Sequence, residues 1–261
     1  MYYLKSLIFC VFAGVLSLHA QDSSRIKASS IYRNSTMFCV NYGRQVPIGK
    51  LNDRFGSSNS IGFTVGYKFG KNWQIQGGIN TMFSGKVKEN GVLDSMIGNG
   101  GLLVDINGTY AEVRMYQRGY HWHVDFGKII PLGHFDVNSG LLLTAGVGFM
   151  QHKIKFTYQR TVLPQLESNY FKGYDRLTNG LMIRGFVGYQ RIDSKSRLNF
   201  VAGLEFLEGF TYNRRSFNYD TRQRETELRK DILVGLKLGI MVSLSGRQAG
   251  KNKGDEERFF E

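Results

Sequence analysis

The stretch DILVGLKLGIMVSL, residues 231–244, decides the fold. Ile232, Val234, Leu236, Leu238, Ile240 and Val242 share one side of it, while Gly235, Lys237 and Gly239 share the other. Successive side chains of an extended chain point to opposite faces, so a period of two marks a strand with one apolar face. Seven more runs of this kind precede it, at 36–43, 60–69, 73–84, 113–130, 140–156, 180–192 and 198–212. The chain therefore reads as all-β with eight strands.

Across the eight runs, one parity collects Phe38, Val40, Tyr42, Ile61, Phe63, Val65, Trp73, Ile75, Trp122, Val124, Phe126, Leu143, Val147, Ile183, Val187, Phe200, Leu204 and Phe206. None of these is charged, although 21% of the chain is. The opposite parity holds Asn41, Lys68, Gln74, Gln76, Asn80, His121, His123, Asp125, Arg184, Gln190, Asn199, Glu205 and Lys237, together with many glycines.

The connections alternate as well. Those after the second, fourth and sixth runs are short (70–72, 131–139, 193–197), and the other four are long and polar. All three prolines, Pro47, Pro131 and Pro164, are expected in connections, where no ladder N–H is lost. Short turns at one end and long loops at the other predict an eight-stranded antiparallel transmembrane barrel of the bacterial outer membrane, with short periplasmic turns and long extracellular loops. Only a closed barrel or a helix satisfies its backbone inside a bilayer, and no stretch reaches 18 consecutive apolar residues. An eight-stranded barrel has a lumen just wide enough to be filled by side chains. Tyr42, Tyr67, Trp73, Tyr120, Trp122 and Tyr189 are candidates for interfacial girdles. A soluble sandwich would also alternate, but it needs no uncharged band on every strand.

Composition agrees. The 261 residues include 32 Gly, 19 Phe, 14 Tyr and only 3 Pro, which excludes a disordered chain, a coiled coil and a disulfide-stapled mini-protein. The net charge of +13 alone would admit nucleic acid, acidic lipid or an acidic partner. Residues 1–20 read as a secretory signal, with Lys5 at its start, an apolar core over 6–18 and Leu18-His19-Ala20 before Gln21. Cys10 lies inside that core, which argues against a lipoprotein anchor. Export turns the charge away from nucleic acid and toward anionic lipid. The mature chain then keeps one cysteine, Cys39, read as an inward packing residue. The expected organisation is a signal at 1–20, a periplasmic segment at 21–35, the barrel at 36–244 and a charged periplasmic tail at 245–261.

Several words of the sequence carry a resemblance: Asn41-Tyr42-Gly43, Asp53-Arg54-Phe55-Gly56, Ala111-Glu112-Val113-Arg114, Gly173-Tyr174-Asp175-Arg176-Leu177-Thr178-Asn179-Gly180, Glu208-Gly209-Phe210 and Leu236-Lys237-Leu238-Gly239. In these the chain resembles the small outer-membrane β-barrel proteins of the Bacteroidota, the PorT-like kind, some of them linked to type IX secretion. The resemblance implies the barrel and its compartment, and a role as an accessory barrel of a secretion or surface-assembly machine. One departure stands out. Such strands often end in an aromatic residue, whereas the last strand here ends Val242-Ser243-Leu244 and Phe259-Phe260 follow only after a charged tail. Docking of that pair on a periplasmic partner is one reading of it.

The sharpest chemical constellation is His121, His123 and Asp125 on one side of a single strand. Alternate strand residues lie about 6.6–7 Å apart, so the trio could bind a metal or orient a base. The expectation weighed against this is an interior polar network of Lys68, His121, His123, Asp125, Arg184, Glu205 and Lys237, since buried charges must be paired. The second constellation is basic: Arg214, Arg215, Arg222 and Arg224 in the loop 213–230, with Arg114, Arg118, Lys153 and Lys155 on the strands. Guanidinium groups pair well with phosphate, so Arg114, Arg118, Arg214, Arg215, Arg222 and Arg224 are candidate contacts for lipopolysaccharide or a protein partner. The glycine-rich link 85–112, including Gly98-Asn99-Gly100-Gly101, lacks the Lys-Ser pair of a phosphate loop and is expected to be a mobile surface loop.

The sequence thus predicts a non-enzymatic structural or interaction protein of the outer membrane, with no cofactor, no metal and no nucleic acid. A small porin-like channel and an enzyme built on His121, His123 and Asp125 are the alternatives.

Overall fold

The computed structural model describes residues 32–89, 91–97, 103–132, 136–158, 163–167, 170–193 and 198–245. The expected signal at 1–20, the glycine run at 98–101 and the tail with Phe259-Phe260 lie outside the described residues. Eight strands, β1 (Ser35–Ile48), β2 (Ser58–Phe69), β3 (Trp73–Ser84), β4 (Val113–Pro131), β5 (Gly140–Tyr158), β6 (Thr178–Arg191), β7 (Leu198–Asn213) and β8 (Arg229–Ser245), form one closed antiparallel barrel. Each strand pairs with its neighbours in sequence, and β8 closes on β1. A short helix, α1 (Lys50–Arg54), follows β1.

The register fixes the shape. From Phe38 the paired residues run through Val65, Gly77, Val124, Val147, Ile183, Glu208 and Ile232, and return to β1 at Ile48. That stagger tilts eight strands by about 40° to the barrel axis. The end carrying residues 70–72, 132–139 and 192–197 is the turn end. The end carrying the links 49–57, 85–112, 159–177 and 214–228 is the loop end.

Alternation divides the wall as the sequence implies. On β8, Leu236 and Ile240 are 63% and 66% exposed on the outside, while Leu233, Lys237 and Met241 are 1%, 6% and 3% exposed on the inside. Several expectations are corrected. β1 runs to Ile48, so Pro47 lies in a strand, paired with Leu233 of β8. The β2 side of β1 is already unpaired beyond Gln45, which leaves the strand room for a residue without an N–H. Pro131 likewise ends β4 rather than opening a turn.

The lumen is not polar throughout. Read from the loop end, the inward positions of β8 include Asp231, Leu233, Lys237 and Met241, and those of β6 include Thr178, Met182, Arg184, Phe186 and Gln190. Polar and apolar layers therefore alternate down the barrel. An upper apolar layer joins Met82, Met150, Met182, Leu207 and Leu233 to loop residues Leu51, Phe55, Val92, Leu163 and Leu166. A lower one joins Met37, Cys39, Ile129, Leu142, Phe186 and Met241. Glycines make room for the larger groups: a Cβ on Gly188 or on its register partner Gly203 would lie 2.7 Å from Cζ of Phe186.

The link 85–112 also departs from a free surface loop. Val92 is buried in the upper layer, Val87 bridges to Phe55, and the Gly56 amide donates to the Lys86 carbonyl at 2.7 Å.

Candidate functional site

Between the two apolar layers lies an ionic one. Arg184 of β6 ion-pairs with Asp125 of β4 on one side and with Glu205 of β7 at 2.7 Å on the other. Lys237 of β8 reaches the same Glu205 at 3.1 Å. Gln76 donates to Asp125 and Gln45 to Glu205, both at 2.9 Å. Nδ1 of His123 comes within 3.0 Å of Asp125, but without the alignment of a hydrogen bond. The ring of His121 sits 6.0 Å from that of His123, and neither of its nitrogens has a hydrogen-bond partner among the described residues.

Six of the seven expected interior residues thus meet in one layer, counting His121 by its position beside His123. Lys68 does not join them. It lies at the turn end, where its ammonium donates to Asn72 at 3.1 Å and Asn138 at 2.6 Å. Gln45 and Gln76 belong to the layer, and of the two only Gln76 stands in the polar parity set; Gln45 falls beyond the end assigned to the first run.

As chemistry, the layer is closed. His121, His123, Asp125, Arg184 and Glu205 are all at most 4% exposed, with apolar side chains above and below. Among the described residues no three His, Cys, Asp or Glu side chains converge as ligands of one metal ion. A cavity lined by Cys39, Gln76, Leu142, Arg184, Phe186 and Lys237 adjoins the layer on the turn-end side. The arrangement holds charge in place, with the described residues of the two apolar layers above and below it.

A second ionic assembly closes the loop end. Arg54 of α1 pairs with Glu89 at 2.6 Å and Glu225 at 3.3 Å. Arg176 pairs with the same Glu89 at 2.8 Å and with Asp220. Arg229 links Glu225 at 2.9 Å to Asp231 at 3.6 Å, and Asp231 accepts from Thr211 and lies 2.9 Å from Nε2 of His152. One chain of contacts therefore joins all four loops to the lumen. Burial raises the Glu225 pKa, but Asn213, Arg54 and Arg229 overcome that effect and hold the carboxyl down at about 2. His152 faces the lumen by the same alternation as Ile154, and that parity was the signal available for it in the sequence.

The candidate basic contacts separate into different environments. Arg215 is committed to Asp175, and Arg214 donates to Asn179 and lies over the Tyr212 ring at 6.0 Å. Arg222 and Arg224 stand exposed near the turn bridged by Asn218 and Gln223. Arg114 pairs with Glu112 at 2.8 Å in solvent, and Arg118 lies over Tyr116 at 5.3 Å.

No family model and no curated protein matches the chain. Among solved structures, Neisserial surface protein A matches with 9% identity and a TM-score of 0.41, over 82% of this chain and 100% of its own. The Ail attachment invasion locus protein of Yersinia pestis, in complex with the heparin analogue sucrose octasulfate, matches with 11% identity and a TM-score of 0.39, over 82% and 100%. A major outer membrane protein from Thermus thermophilus matches with 12% identity and a TM-score of 0.46, over 80% and 99%.

Proposed function

We propose that the chain is an integral outer-membrane barrel, exported by its first twenty residues, that works without catalysis as a structural or interaction protein through its loop end. The observation that carries this reading is the outer wall. Val40, Ile61, Ile79, Trp122, Val147, Leu181, Leu204 and Leu236, one from each strand, stand 47–72% exposed. A soluble monomer rarely exposes more than a few hundred Å² of contiguous apolar surface, whereas a bilayer requires such a belt. On β8 the outward residues from Ile232 to Leu244 are all apolar, about 40 Å of strand, which the tilt turns into about 30 Å of height. The long loops then face outside and the short turns the periplasm.

A filled lumen favours a scaffold over a channel, because the ionic layer and two apolar layers cross it. The same burial argues against an enzyme built on His121, His123 and Asp125. Within this reading, the resemblance to PorT-like barrels points to an accessory part of a type IX secretion or surface-assembly machine, with protein partners at the loops or the tail.

The test is the gel mobility of outer-membrane fractions, unheated and boiled, together with conductance in planar bilayers. A mobility difference without steady conductance is expected. Soluble periplasmic protein with unchanged mobility would overturn the membrane reading, and stable ohmic conductance would replace the scaffold with the channel.

A further inference from the structure

Arg118 of β4 and Lys153 of β5 are register partners on the outer wall, so two cations stand directly opposite each other. Such like-charged pairs destabilise a sheet. Relief by a carboxylate is missing: among the described residues no acidic side chain lies within ion-pair distance of Arg118, Lys153 or Lys155. Among the described residues the guanidinium of Arg118 donates to the Gln117 carbonyl at 2.9 Å and lies over the face of Tyr116. The next outward pair toward the loops is Tyr116 with Lys155. The next two toward the turns are Tyr120 with Gln151 and then Trp122 with Phe149, whose rings stack at 6.4 Å. The cations thus crown the apolar belt at the level where its aromatic residues give way to polar ones.

We infer that Arg118, Lys153 and Lys155 form a clamp for the phosphate of an outer-leaflet glycolipid, whose acyl chains lie along Trp122 and Phe149. The inference rests on the membrane reading above and gives that wall a specific ligand. A phosphate between Arg118 and Lys153 turns a repulsive pair into two charge-assisted contacts, and the planar guanidinium donates to its oxygens in pairs. Depth selects the source, because an anion held at the edge of the belt and continuous with an apolar wall suits a lipid headgroup better than a free ion.

The experiment uses the full mature chain in detergent and counts retained lipid by native mass spectrometry. Bisphosphorylated lipid A is compared with its dephosphorylated form and with inorganic phosphate, and each variant's fold is checked by unheated and boiled mobility. Phosphorylated lipid A is expected to be retained about tenfold better than the dephosphorylated form, the worth of one charged contact. Arg118→Gln with Lys153→Gln should abolish that preference, and Lys128→Gln on the turn-end rim should keep it. Lys153→Glu removes the repulsion and pairs with Arg118, so it should fold at least as stably and still lose the preference. Equal retention of the two lipids, or an unchanged preference in Lys153→Glu, overturns the clamp. Inorganic phosphate that binds as well as the lipid overturns the lipid as its source. A wild-type protein without a mobility difference overturns the membrane reading and the clamp with it.

Discussion

Arg184 and Glu205 form a 2.7 Å ion pair in which both side chains are 2% exposed, at the mid-depth of a closed barrel. Removing one member of a buried pair leaves the other charge without compensation and typically costs about 3–5 kcal/mol, more than the pair itself contributes. Arg184→Met strands both Asp125 and Glu205, leaving Lys237 alone to answer them. Its free energy of unfolding, from denaturant curves read as the loss of the fast-migrating band, should fall by that order. Arg184→Lys should recover part of the loss, because an ammonium reaches one carboxylate but not both.

Phe55 is the ring by which the first loop enters the lumen. It is fully buried, and it meets His152 edge-on at 5.5 Å. Phe55→Ala removes a large side chain from the upper layer, a change that typically costs about 3–5 kcal/mol in a packed core. The loss should fall on the loops and spare the wall. Proteolysis should cut the links 49–57 and 85–112 faster than in the wild type, while the barrel remains resistant. Conductance should stay closed, because the ionic layer lies beneath.

The loop-end assembly should be acid-sensitive through Glu225. Its pKa of about 2 in the fold lies below the ordinary 4.5, so the unfolded carboxyl takes up a proton first. Its contribution is therefore complete above about pH 4.5 and drains as the pH falls toward about 2. Hydrogen exchange of the amides around Arg54 and Asn213 should rise across that window. Glu225→Gln should show fast exchange at neutral pH and lose the dependence on Glu225.

How much of this was legible depends on whether a residue's role leaves a periodic trace. Strands β2 to β8 were legible because alternation of outward apolar residues repeats on each. The ionic layer was legible in Asp125, Arg184, Glu205 and Lys237, since a charge inside an alternating run has only the lumen to go to. The apolar layers were not, because an inward Leu233 or Met241 beside outward Ile232 and Val242 looks like a continuous apolar run. Pro47 was misplaced for a related reason: an unpaired strand edge is invisible until the register is known. The loop-end chain has no local pattern at all, as Arg54, Glu89, Arg176 and Glu225 come from four separate links. The only hint lay in Asp53-Arg54-Phe55-Gly56 and Gly173-Tyr174-Asp175-Arg176, whose residues turn out to pin the loops into the lumen.

Gly188 and Gly203 give a test of how the lower apolar layer is packed. They are register partners on β6 and β7, and the ring of Phe186 covers both from the same side. Added methyl groups would meet its Cζ at 2.7 Å, and also backbone oxygens, of Ala202 and Val187 respectively, at 2.3 Å. Gly203→Ala should therefore destabilise the barrel by about 1–3 kcal/mol through overpacking. Phe186→Ala alone also destabilises, by opening a cavity. Combined, the two should cost less than the sum of their separate effects, because the methyl enters space that the ring has left. The backbone contact remains, so the rescue is incomplete. Denaturant midpoints of the wild type, the two single variants and the double variant measure the coupling, and strict additivity would show that the ring does not cover these glycines.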